Sequence, residues 1–115
     1  MRAVLQVETI ADSALHWRLL VPASDHPIFV GHFPGSPVLP GVVVLGWMIA
    51  AAERFLGREL LPPTRLHNVK FPLVLLPGQT VDLNVTPAPA GRLSVRVTSA
   101  GGTHATVVVE PGLVS

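Results

Sequence analysis

Apolar and polar positions alternate along most of the chain, and the breaks in that alternation divide it into a hairpin, a long irregular loop, one helix and a strand meander. From Ala3 to Ala11, Val4, Gln6 and Glu8 fall on one side and Ala3, Leu5 and Val7 on the other, which predicts a strand. Asp12-Ser13 signals a turn, and Leu15 to Val21 predicts its hairpin partner, with Trp17, Leu19 and Val21 on one face and His16 and Arg18 on the other. Pro22 to Asp25 closes the unit. Near the other end, Val81, Leu83 and Val85 alternate with Thr80, Asp82, Asn84 and Thr86, and Leu93, Val95 and Val97 alternate with Arg92, Ser94, Arg96 and Thr98. The prolines and glycine at Pro87, Pro89 and Gly91 are expected to separate those two strands, and Gly101-Gly102 predicts a tight turn into a last strand over Thr103 to Glu110. Arg65 to Phe71 predicts one more strand ahead of these.

Only one segment reads as a helix. Val42 to Leu45 alone fits a strand equally well, but the alanine-rich continuation to Leu56 does not, and Gly57 supplies a stop. A helix over Gly41 to Leu56 has three first turns that are apolar on every side, so it is expected to be buried all round, as when a curled sheet wraps it. Glu53, Arg54, Arg58 and Glu59 mark where it meets water. The fold class is therefore α+β, an antiparallel sheet around one helix, organised as a single domain over residues 1–115. Pattern alone leaves the strand order open.

The segment feeding that helix carries the candidate chemistry. His26 to Gly41 holds four prolines and three glycines, which excludes regular helix and central strand and leaves a stiff loop. The loop brings His32 to the start of an apolar helix, where free backbone N–H groups favour developing negative charge. A histidine so placed is suited to proton transfer. His26 has no second ligand at metal-binding spacing and reads as a loop or capping residue, while His67 and His104 lie in strands and read as structural.

Composition narrows the partners. Charged residues are 13% against a typical ~25%, so a monomer would show apolar surface and an oligomer is expected. The net charge is +1 with the arginines scattered, so nucleic acid is not implied. With no cysteine, disulfides and thiolate metal sites are excluded. The longest apolar run, Val42 to Ala52, is shorter than the ~20 residues a membrane span needs, and Glu8 interrupts the N-terminus before any leader core could form. A cytoplasmic protein is expected, with no metal and no cofactor.

His32-Phe33-Pro34-Gly35, followed by Pro37, Pro40, Gly41 and Val42, resembles the signature of the hot-dog-fold β-hydroxyacyl-ACP dehydratases, the FabA/FabZ-like family. Asn68 to Phe71 and Leu76 to Gln79 are similar to that family's strand after the helix and its Pro-Gly turn, so the resemblance covers most of the chain from Pro27 on. Trp47 and the run Pro37 to Val42 narrow it to the small ApeI-like dehydratases of aryl polyene biosynthesis. The resemblance implies a hot-dog fold, with the sheet wrapped on the long helix. It implies dehydration of a 3-hydroxyacyl thioester on acyl carrier protein, in fatty-acid or aryl-polyene-like chain elongation. It makes His32 the base, assigns the N–H groups of Gly41 and Val42 to the thioester oxygen, and puts Phe33, Pro40 and Trp47 beside the substrate.

The same resemblance exposes a gap. The family's acid is a Glu or Asp fourteen residues after the histidine, and position 46 here is glycine. Gly46 either gives room for close packing, against Trp47 or Phe33, or records the loss of half a dyad; the two are compatible. Glu53 shares nearly the same helix face but lies about 10 Å further along the axis, Asp25 is not placed by any pattern, and Asp82 belongs to the polar face of a strand. In the family the histidine and the acid of one site come from different subunits. Three readings follow: the His-bearing subunit of a heterodimer with a related hot-dog chain, a self-sufficient homodimer that uses water in the space at Gly46, and a non-catalytic acyl-thioester-binding or scaffold protein.

Overall fold

The computed structural model describes residues 4–29 and 38–112. The elements are β1 (Val4–Ala11), β2 (Ala14–Leu20), α1 (Gly41–Leu56), β3 (Arg65–Lys70), β4 (Thr80–Ala88), β5 (Arg92–Ser99) and β6 (Gly102–Glu110). All six strands form one antiparallel sheet in the order β1-β2-β4-β5-β6-β3. After α1 the chain therefore crosses to the far edge before returning to the centre.

Register carries the alternation seen in the sequence across the sheet. Leu15 pairs with Val85, Val85 with Val95 and Val95 with Val107, so a row of aliphatic side chains crosses four strands on one face. All four are buried. Trp17, Leu83, Val97 and Ala105 form the next row. A slip of one residue would turn both rows to solvent, which fixes the pairing. Helix α1 lies on this face against β2, β4 and β5, and inserts Val44, Trp47, Met48, Ala51 and Ala52 into the core. It ends where expected: Gly57 adopts φ 72°, a conformation costly for residues with a Cβ, and its N–H bonds Glu53 O at 2.9 Å.

Two expectations need correcting. The helix is not buried on every side. Val42 is 77% exposed, and Gly46 and Ala50, one and two turns on, are exposed as well. One sheet covers one face of a helix, so the opposite stripe stays open within a single chain, however apolar its residues. Pro87 also does not separate two strands: β4 continues through it to Ala88, and the turn is made by Pro89–Gly91. The β2 ladder stops at Val85, so Pro87 sits where β4 has lost that neighbour and its missing N–H costs nothing there.

Apolar surface is present, as the low charge content predicts. Val4, Leu5, Val7 and Ile10 are exposed on edge strand β1, and Val69, Phe71, Leu73, Val74 and Leu76 on and after edge strand β3.

Candidate active site

The start of α1 is held from two sides. Leu39 N–H donates to Leu75 O at 2.8 Å, tying the entry strand to the segment after β3. Pro40 then takes an extended conformation as the N-cap, and its carbonyl accepts from Val43 N at 3.0 Å and Val44 N at 3.3 Å. The N–H groups of Gly41 and Val42 precede these bonds and meet no acceptor among the described residues. A proline cap has no side-chain oxygen to occupy them. The ring of Phe71 lies over Gly41, so that a Cβ built there would sit 3.4 Å from it. Phe71 was absent from the sequence-derived site; the small residue at position 41 was the one signal that something packs against it.

His104 secures this corner from beneath. It is 2% exposed, its Nδ1–H donates to Val74 O at 3.0 Å, and Nε2 meets Ser99 Oγ at 2.6 Å. Val74 adjoins Leu75, which holds Leu39, so a buried histidine on β6 helps fix the helix start. His104→Ala is expected to cost about 2–4 kcal/mol, because it takes away the acceptor of the Ser99 O–H and the donor to the Val74 carbonyl and opens a void. A lower urea midpoint at unchanged slope would show this.

Gly46 stands one turn after Val42 on the open stripe. Beyond its chain neighbours and its own helix, no described atom lies within 4 Å of where its Cβ would be. Space for a side chain is present and no described carboxylate fills it. Trp47 points the other way, 7% exposed, into the core. The structure thus brings Pro40, Gly41, Val42 and Gly46 to one side of the helix and sends Trp47 to another. His32 and Phe33 lie outside the described residues.

The alternative carboxylates stand away from Gly46. Glu53 Oε2 accepts the Leu60 N–H at 2.8 Å and closes the loop after the helix. Asp25 is exposed on the loop after β2. Asp82 accepts from His16 Nε2 at 2.7 Å and from Arg18 Nε at 3.2 Å on the outer face of the sheet. Its carboxyl is held below the usual value, first by the His16 hydrogen bond and then by Arg18, with partial burial opposing. A depressed carboxylate stabilises the fold above its unfolded value, near pH 4, and that contribution fades as pH falls through the lower folded value. Asp82→Asn should therefore cost up to about 1 kcal/mol near neutrality, with the gap closing below about pH 4 in paired denaturation curves.

The described histidines also have partners. Besides His16 and His104, His67 Nε2 meets Glu110 Oε1 at 2.8 Å, and His26 Nδ1 accepts the Ile28 N–H at 3.1 Å. Among the described residues no cluster of three metal-ligating side chains forms, and no helix is long and apolar enough to cross a membrane.

A cleft of about 820 Å³ opens between the β1–β2 hairpin and α1. Leu5, Trp17, Leu19, Trp47 and Ala50 line it, and Glu8 and Arg54 stand in its wall. Arg54 Nη2 and Nε donate to Glu8 Oε1 and Oε2 at 3.0 and 3.1 Å, and Trp17 Nε1–H donates to Oε2 at 2.6 Å. The Arg54 hydrogen bond, then that of Trp17, holds the Glu8 carboxyl below its ordinary value. Sequence reasoning missed this pair, whose members stand far apart in the chain.

Comparison with known proteins places this geometry. The 3-hydroxyacyl-[acyl-carrier-protein] dehydratase FabZ of Haemophilus influenzae is 35% identical over 68 residues, which is 53% of this chain and 46% of that protein. The chain spans about half the length of such relatives. A chain of the dehydratase heterocomplex ApeI:P from Xenorhabdus doucetiae superposes with a TM-score of 0.77 at 24% identity, covering 96% of this chain and 97% of that one. An uncharacterized protein from Erwinia carotovora gives 0.71 at 26% identity, covering 96% and 98%. The six-stranded sheet on one helix is the hot-dog fold these structures share. The ApeI-like family, described as ApeI dehydratase, matches residues 4–108, and with that match over nearly its whole length the chain belongs to the ApeI-like dehydratases.

Proposed function

We propose that this chain is one hot-dog domain that supplies the histidine half of a dehydratase site acting on 3-hydroxyacyl thioesters of acyl carrier protein, in fatty-acid or aryl-polyene-like chain elongation. The observation that carries the reading is Gly46: an open position on the exposed helix stripe, with no described carboxylate within 4 Å, one turn from the N–H groups at the helix start that meet no acceptor among the described residues. His32 takes the α-proton of the substrate. The N–H groups of Gly41 and Val42 hold the thioester oxygen as negative charge builds on it, with Phe33, Pro40 and Trp47 around the acyl group. The β-hydroxyl takes a proton from an acid and leaves as water, and a carbon–carbon double bond forms between the α and β positions. Among the described residues no carboxylate stands beside Gly46 to act as that acid, so a partner hot-dog subunit provides it at the place that Gly46 leaves open.

Three observations support this. The described histidines are committed to structural bonds, the apolar edges and helix stripe are open for a second subunit, and a structurally similar chain comes from a dehydratase heterocomplex. The test is turnover of a 3-hydroxyacyl-ACP by the chain mixed with an ApeI-like relative that keeps its acid, followed as loss of one water by mass spectrometry. The open, acid-free Gly46 equally suits a non-catalytic acyl-binding protein. Binding of the thioester with no loss of water in any mixture would establish that reading instead.

A further inference from the structure

The cleft beside Trp47 runs along the helix from Ala50, one turn past the position that lacks its acid. Ala50 and Arg54 follow Gly46 at steps of four on one face of α1, about 12 Å from end to end. Short of the charged end the walls are hydrocarbon and indole: Leu5, Trp17 and Leu19 from the sheet, Trp47 and Ala50 from the helix. Ala50 matters for width, since a larger side chain there would fill the gap between the two walls. The charged residues of the lining gather at the Arg54 end, where the Glu53 carboxylate is already engaged by the Leu60 N–H at 2.8 Å. There the surroundings change, because the guanidinium crosses from α1 to β1 and closes on both oxygens of Glu8. The indole N–H of Trp17 locks the same carboxylate from the side. Beyond the pair the lining turns to Arg58 and Glu59. An apolar chain gains by advancing as far as the ion pair, and loses by passing it, since it would have to desolvate both charges.

We propose that the Glu8–Arg54 pair, braced by Trp17, is the stop that sets the length of hydrocarbon tail this cleft accepts. The identity of the tail, the acyl chain of a thioester whose reacting end lies near Gly46, rests on the dehydratase reading. The stop itself rests on the cleft's lining and the bidentate pair.

Both tryptophans of the chain line the cleft, so their emission reports its occupancy. The probe is a graded series of saturated acyl-coenzyme A thioesters titrated into the whole chain. In the wild type, affinity should tighten about fourfold per added methylene up to a limiting length and then level off or fall. Arg54→Ala and Glu8→Gln should move that limit to longer chains without weakening the short ones. Arg18→Ala, which removes a cation from the outer face, should leave it in place. Ala50→Trp should shorten the limit, and it keeps the ion pair intact should Arg54→Ala fail to fold. An identical limit in the wild type, Glu8→Gln and Ala50→Trp overturns the proposal, as does the absence of any response to chain length. Length-limited binding without turnover in any mixture would leave the stop standing and reject the dehydratase reading alone.

Discussion

His32→Ala should remove dehydration from the assembled site by a factor of about 10²–10⁴, with the far-UV spectrum and melting temperature unchanged. The loss is large because no other histidine is available to replace it. His16 is held by Asp82, His67 by Glu110, His104 by Ser99 and Val74, and His26 by the Ile28 amide. The matched control is His67→Ala, which removes an imidazole from the outer sheet face and should leave turnover within twofold. The effect should fall on kcat rather than on thioester binding, since a base acts in the transition state and adds little to ground-state affinity. Equal rates for the wild type and His32→Ala in the mixture would remove His32 from the mechanism.

Gly46→Asp should give the opposite result, a gain. Installing a carboxylate on the open stripe should let the chain dehydrate a 3-hydroxyacyl-ACP without a partner, at least 10²-fold above the wild type alone. The substitution is permitted by the structure: the position is exposed, no described atom beyond its chain neighbours and its own helix lies within 4 Å of the new Cβ, and glycine in a helix already costs about 1 kcal/mol relative to alanine. Stability should change by no more than about 0.5 kcal/mol. Gly46→Asn is the isosteric control, able to fill the space and unable to donate as a carboxylic acid does. Activity in Gly46→Asn equal to Gly46→Asp would mean the position acts through packing. A silent Gly46→Asp that folds and self-associates would mean that the acid enters from elsewhere.

Local features were legible before the structure, and non-local ones were not. The helix bounds, Gly41 to Leu56, follow from a run too long and alanine-rich for a strand and from a glycine able to adopt positive φ, all properties of neighbouring residues. The meander was legible because Val81, Leu83 and Val85, and then Leu93, Val95 and Val97, alternate without a break. Strand order was not, since a period of two says which side a residue faces and nothing about which strand lies beside it; the hot-dog order came from the resemblance. The same limit explains the helix. A segment apolar on all sides states what could be buried, while the number of elements packed against it decides what is, and the described residues of one chain form a single sheet. Pro87 misled because a proline tolerated at the end of a ladder looks, in sequence, like one that ends a strand.

The site shows the same division. Pro40, Gly41 and Val42 could be named as candidates because their chemistry is written in consecutive residues. Phe71 over Gly41, and Glu8 against Arg54, are contacts between distant segments with no sequence signature beyond a small residue or an isolated charge. His104 was assigned a structural role correctly from its strand position, but its grip on Val74, and through Leu75 on the helix start, required the fold.

The central claim is that one imidazole from this chain and one carboxylate from another make a single working site. Its most direct measurement is the initial rate of water loss from a 3-hydroxyacyl-ACP as an acid-bearing ApeI-like partner is titrated into a fixed amount of this chain. The rate should start at the uncatalysed level, climb linearly, and break to a plateau at one partner per chain. Full turnover before any partner is added, or a flat line to excess partner that binds, would contradict it.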